Sequence, residues 1–110
     1  MDPEQQLELL MEIIAYAGEA KSMAIEAMSM ARTGGIIDAR DQVRAAEKAA
    51  NKAHSLHSDL LACEANSADF RVTMLTVHAA DHLAEAGIAI DMVREIIELY
   101  AQIDQLRKEK

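Results

Sequence analysis

The chain has 110 residues, a formal net charge of -8 at pH 7, one cysteine and no tryptophan. That length suits one domain, residues 1–110, with a modest core. The acidic balance argues against nucleic acid and anionic membrane surfaces, which select clustered Lys and Arg, and lone Cys63 excludes an internal disulfide. The N-terminus lacks the basic start and apolar core of a signal peptide, and no apolar run approaches the ~20 residues that span a bilayer. A cytoplasmic protein without membrane insertion is expected.

Twenty-one alanines and seven methionines, with Pro3 as the one proline, describe an all-α chain that is helical nearly from end to end. Asp2 is positioned to cap a first helix that has Pro3 at its first position and Gln5 at the third, a capping-box pattern. This helix is predicted to run to about Arg32. Leu10, Ile13, Ala17, Ala20, Ala24, Ala27 and Ala31 form a heptad seam, and Leu7, Met11, Ile14, Ile25 and Met28 widen the apolar face beyond what one neighbour covers.

Gly34-Gly35 ends that helix and begins the second, whose narrower seam is Ala39, Val43, Ala46, Ala50, Ala53, His57 and Leu60. Glu64 to Phe70 read as the next connection. Thr73 is a suitable cap for a third helix extending to about Leu106. The chain thus reads as an antiparallel three-helix bundle of rods about 40–50 Å long. The first and third helices are apolar round too much of their circumference for one such bundle, so a homo-oligomer with the third helix facing other subunits is expected.

The third helix carries a conflict. His78, Asp81, His82 and Glu85 fall within about 100° of arc, in the sector that also holds Met74, Leu75, Met92, Ile96 and Leu99 and is expected to be buried. Buried polar groups left unpaired cost about 1–3 kcal/mol each, so such a stripe marks a paired network, a metal site or a reactive site. No histidine follows a glutamate by three residues, which argues against a ferritin-like di-metal centre. Ala79 stands where a His-Glu-x-x-His zinc motif needs glutamate. Neither Cys63 nor any serine has a recognisable nucleophile signature, and Gly34-Gly35 lacks the P-loop lysine and hydroxyl. What remains is a histidine acting as nucleophile or phosphate carrier with a carboxylate one turn away. Imidazole titrates near neutrality and takes and releases a phosphoryl group, and His78 in the second turn would feel weak help from the helix dipole.

Thr73-Met74-Leu75-Thr76-Val77-His78-Ala79-Ala80-Asp81-His82-Leu83 resembles the signature of the lactose/cellobiose class of enzyme IIA in the bacterial sugar phosphotransferase system, typically Val-His-Ala-Gln-Asp-His-Leu-Met after a serine and aliphatics. The likeness continues in Ala17-Gly18-Glu19-Ala20-Lys21-Ser22, in Ala53-His54 and in Glu95-Ile96-Ile97-Glu98-Leu99-Tyr100, in order from about Ile13 to Tyr100. The resemblance implies a three-helix subunit in a trimeric nine-helix bundle. It implies that His78 is phosphorylated by the phosphocarrier HPr and hands the group to a cysteine of a IIB component. It further implies that Asp81 meets its two symmetry mates round a divalent ion on the trimer axis. Three converging carboxylates need protonation or a cation, and a hard ion such as Mg2+ suits oxygen ligands.

The chain departs from that pattern at Ala80, where the family has glutamine, at Ala84, where it has methionine, and at Arg71, where it often has proline. Ala80 removes an amide beside the reactive histidine and favours an alternative, a trimeric helical regulatory module that relays nothing. His82 reads as a positioning hydrogen-bond partner and Glu85 as a surface or interface charge. His54 and His57 read as packing residues, with lining of the cleft as the alternative, and the methionines as core and contact surface. The transported sugar is not legible in this chain.

Overall fold

The computed structural model describes residues 1–109, and among them there are three helices and no strand. Helix α1 spans Pro3–Arg32, α2 Ile36–Asn66 and α3 Met74–Lys108. The start signals act as expected. Asp2 accepts from the Gln5 backbone N–H at 2.8 Å while its own N–H donates to Gln5 Oε1 at 3.0 Å. Thr73 caps α3 the same way, with Thr76 supplying the reciprocal acceptor for the Thr73 N–H at 3.1 Å. Between α1 and α2 the chain reverses through Gly34, whose φ of 94° a residue with a Cβ rarely adopts.

Cross-helix bonds set the topology. Gln42 on α2 reaches Glu26 on α1, and Arg40 and Arg94 tie α2 to α3 through Glu98 and Glu47, so α2 runs against both neighbours. Gln6 pairs with the Arg71 carbonyl and Lys21 with Glu85, so α1 and α3 run in the same direction. The result is an antiparallel up-down-up three-helix bundle.

Small side chains fill its centre. Ala17, Ala20, Ala24, Ala27 and Ala31 of α1 are buried against Ala39, Ala46, Ala50 and Ala53 of α2. Leu83, Ala86, Ile90, Val93 and Ile97 of α3 close the same core. A second, bulkier cluster of Leu9, Leu10, Ile13, Leu60 and Ala79 sits at the end where α3 begins, with Leu56, Phe70 and Leu75 packed round it.

Three expectations are corrected. Helix α2 continues to Asn66, so the second connection is Ser67–Thr73 rather than Glu64 to Phe70. Glu64 and Ala65 are good helix formers, and the Asn66 amide closes the last turn on the Ala62 carbonyl at 2.8 Å. Helix α3 runs past Leu106 to Lys108, where Arg107 and Lys108 suit the negative end of the dipole. His57 is only half-buried, because Leu56 and Leu60 occupy the space beneath α2.

The bundle is a rod of 65 × 18 × 15 Å with a radius of gyration of 17.6 Å, against about 13 Å for a compact chain of this length. Its accessible surface is 7141 Å², where a compact monomer of this mass exposes about 6,000 Å². Exposed apolar side chains follow one side of α3, where Met74, Ile88 and Met92 are 82%, 61% and 60% exposed.

Ala24 is fully buried where α1 meets its neighbours. Ala24→Leu would force the helices apart, and a loss of about 1–3 kcal/mol is expected. The urea midpoint of the variant measures it, and an unchanged midpoint would show that the alanine contact is not tight.

Candidate functional site

His78 and His82 form one unit. One helical turn apart on α3, their rings meet edge to face at an interplanar angle of 85° with centroids 4.4 Å apart, and the two Nε2 atoms lie 3.1 Å apart. A contact of that length between two imidazole nitrogens requires one to carry the proton and the other to present its lone pair. His78 is exposed, whereas His82 is half-buried and its Nδ1 is buried with no partner among the described residues. The pair therefore has an outer ring open to reagents and an inner ring that holds it in place.

The backbone beneath is anchored from three directions. Ala79, between the two histidines, is fully buried in the cluster with Leu10, Ile13 and Leu60. The capping box at Thr73 fixes the first turn of α3. Gln6 donates to the Arg71 carbonyl at 2.9 Å and ties the connection to the start of α1. The loss of proline at Arg71 thus leaves the start of α3 well defined.

The expected burial of the polar stripe is not met within one subunit. His78, Asp81 and Glu85 are all exposed, because α1 and α2 cover the opposite side of α3 through Ala79, Leu83, Ala86 and Ile90. The stripe lies instead along the bare apolar side with Val77, Ile88 and Met92. Glu85 is engaged across the groove by Lys21 of α1, Nζ to Oε2 3.2 Å, with both side chains about half exposed.

Asp81 carries no ion pair among the described residues, and these hold no group of three or more His, Cys, Asp or Glu placed to bind a metal. One subunit offers a single carboxylate at that position, so a cation site there needs further copies of the chain. Asp81 is exposed on the side of α3 that carries Val77, Ile88 and Met92.

His54 does not join the pair. It lines a groove of about 270 Å³ between α2 and α3 with Gly87, Ile90, Asp91 and Arg94. Gly87 lies five residues beyond His82, roughly 140° round the helix, so this groove flanks α3 on another side. Ala80, half-buried, and Ala84, exposed, flank the stripe with only methyl groups where the family pattern has glutamine and methionine. Lys21 is the site-side residue that spacing alone did not reveal. It lies on another helix, and only the relative register of α1 and α3 brings it to Glu85.

Comparison with known proteins agrees with this geometry. The family model described as "PTS system, Lactose/Cellobiose specific IIA subunit" matches residues 8–101. The chain is 36% identical over 104 residues to the lichenan-specific phosphotransferase enzyme IIA component of Bacillus subtilis, covering 94% of each. It is 29% identical to the N,N'-diacetylchitobiose-specific EIIA component of Escherichia coli K12, covering 93% of this chain and 88% of that one. The crystal structure of the cellobiose-specific enzyme IIA from Bacillus anthracis superposes with a TM-score of 0.87 at 28% identity, over 96% of this chain and 94% of that one. The IIA(chitobiose) subunit solved in complex with HPr from E. coli superposes with a TM-score of 0.80 at 28% identity, covering 90% and 96% of the two chains. Fold and sequence agree, and the chain belongs to the lactose/cellobiose-specific IIA subunits of the sugar phosphotransferase system.

Proposed function

We propose that this protein is a cytoplasmic phosphohistidine carrier, taking a phosphoryl group from phospho-HPr onto His78 and passing it to a cysteine of a IIB component during sugar uptake. The observation that supports this most is the exposed His78 ring held by His82 at 3.1 Å on a turn locked by Ala79. In the transfer, a bond forms from a His78 ring nitrogen to phosphorus while the bond to the donor breaks, its electron pair staying on the donor. The His78 ring keeps its proton on the other nitrogen. The reverse bookkeeping delivers the group to the IIB thiolate. His82 orients the ring, so the attacking lone pair is presented without a search through rotamers.

Partnership with HPr is proposed from the E. coli relative solved in complex with HPr. The homotrimer is proposed from the exposed apolar side of α3, which has the period of a helix-on-helix seam through Val77, Ile88, Met92, Leu99 and Leu106. Three copies of α3 about one axis would cover it and converge the Asp81 carboxylates. Such a set fits a divalent ion such as Mg2+, which would supply charge neutralisation on the axis.

Two measurements test the reading. Incubated with phosphoenolpyruvate, enzyme I and HPr, the protein should gain one acid-labile phosphoryl group per chain, mapped to His78. His78→Ala should gain none, and full labelling of that variant would sink the assignment. A wild type that stays unlabelled while the E. coli chitobiose relative labels fully would point to the regulatory module that Ala80 and Ala84 favour. Light scattering should give three times the 12.1 kDa subunit mass. Ile88→Asp should lower it to the subunit value, and a wild-type mass of one subunit would refute the trimer.

A further inference from the structure

Helices α1 and α3 run side by side in a fixed register, seen at both the Gln6–Arg71 and Lys21–Glu85 contacts. In that register Gly18 stands level with His82, one turn back from Lys21 and Glu85. Gly18 has open space where a Cβ would stand. Between Lys21 and the histidine pair, therefore, α1 presents a notch with no side chain in it.

The charges round this notch are unbalanced. Asp81 and Glu85 are exposed on the α3 stripe, and Lys21 is the cation that α1 brings to it. Arg40 and Arg94 are paired with Glu98 and Glu47 on the α2 side of α3. A phosphoryl group on His78 adds roughly -1.5 to -2 charges to a stripe that already carries the Glu85 carboxylate. Without a cation in reach, the loaded state would be raised in free energy by like-charge repulsion.

We propose that Lys21 is the charge-compensating residue of the carrier site. In the unloaded protein Glu85 holds its ammonium group, and in the loaded protein the side chain turns through the Gly18 notch to the phosphoryl oxygens on His78. This inference rests on His78 being the carrier. The exchange is easy in the required direction. A half-exposed ion pair such as Lys21–Glu85 contributes little and breaks readily, whereas an ammonium donating to a phosphoryl dianion makes a stronger, charge-assisted bond. Lysine has the flexible stem and rotatable donors that such a swing needs. Lys21 would thus set how much phosphoryl group the protein holds against HPr, with Glu85 as the competing acceptor that releases it.

The test uses the full chain as wild type, Lys21→Met, Lys21→Arg, Glu85→Gln and Gly18→Val, each checked for helicity, melting and assembly mass. With phosphoenolpyruvate, enzyme I and HPr, the readouts are the partition of phosphoryl groups between HPr and this protein and the ³¹P chemical shift of the phosphohistidine. Absence of label in the wild type would overturn the carrier reading itself. With the wild type labelled, Lys21→Met should shift the partition toward HPr by about three- to tenfold and move the ³¹P resonance. Lys21→Arg should restore most of the effect, Glu85→Gln should shift the partition the other way, and Gly18→Val should act like Lys21→Met. Wild-type partition and chemical shift in both Lys21→Met and Glu85→Gln would overturn the proposal while leaving the carrier reading intact.

Discussion

The close approach of α1 to α2 through facing alanines is the constraint on which the rest of this structure depends. Alanine has almost no side chain to fill space, so helices joined by ladders of it pack at short range and enclose a thin core. A thin core leaves few inward positions for bulky residues. Leu, Ile and Met accumulate on the outer sides of α1 and α3, and the protein becomes a rod with more apolar surface than a compact chain of its mass exposes. Helix packing inside the subunit and the bare side of α3 are thus two results of one choice of residue size.

The end of the bundle that carries the histidine pair departs from that plan. At the start of α3 the alanines give way to Leu9, Leu10, Ile13 and Leu60, which grip Ala79 from below. In the proposed carrier role His78 has to be exposed to meet a protein partner, and an exposed side chain on a fraying helix end would be poorly oriented. The structure reconciles the two demands by fixing the backbone through a cap and a bulky cluster, and by fixing the ring through its neighbour His82. Exposure of His78 and rigidity of its turn come from different residues.

Much of this was legible in the sequence because it is local. The caps at Asp2 and Thr73, the Gly34 turn and the alanine seams follow from spacings within one helix, and each appears in the structure. The end of α2 was misjudged because Glu64 to Asn66 carry no breaker, and the Asn66 amide bond that closes the turn leaves no periodic trace. The polar stripe, expected to face other copies of the chain, is exposed in the single subunit. Hydrophobic periodicity locates a side that avoids water, but does not tell whether the same chain or another copy covers it. The Lys21–Glu85 pair was invisible because it depends on the register between helices separated by all of α2. Its partners carry no mark in sequence beyond being opposite charges.

The short turn between α1 and α2 has a consequence for how the molecule forms. Thr33 to Gly35 join two helices whose mutual contact is the most extensive in the protein, so closing that hairpin carries little loop entropy. Helix α3 rests more on α1 than on α2 and reaches its place over a seven-residue connection, Ser67–Thr73. The expected order is a hairpin first and α3 last, which pulse-labelled hydrogen exchange would register as earlier protection in α1 and α2. The histidine pair would then be assembled by the final docking event, and a partly made chain would offer nothing for a phosphoryl donor to find.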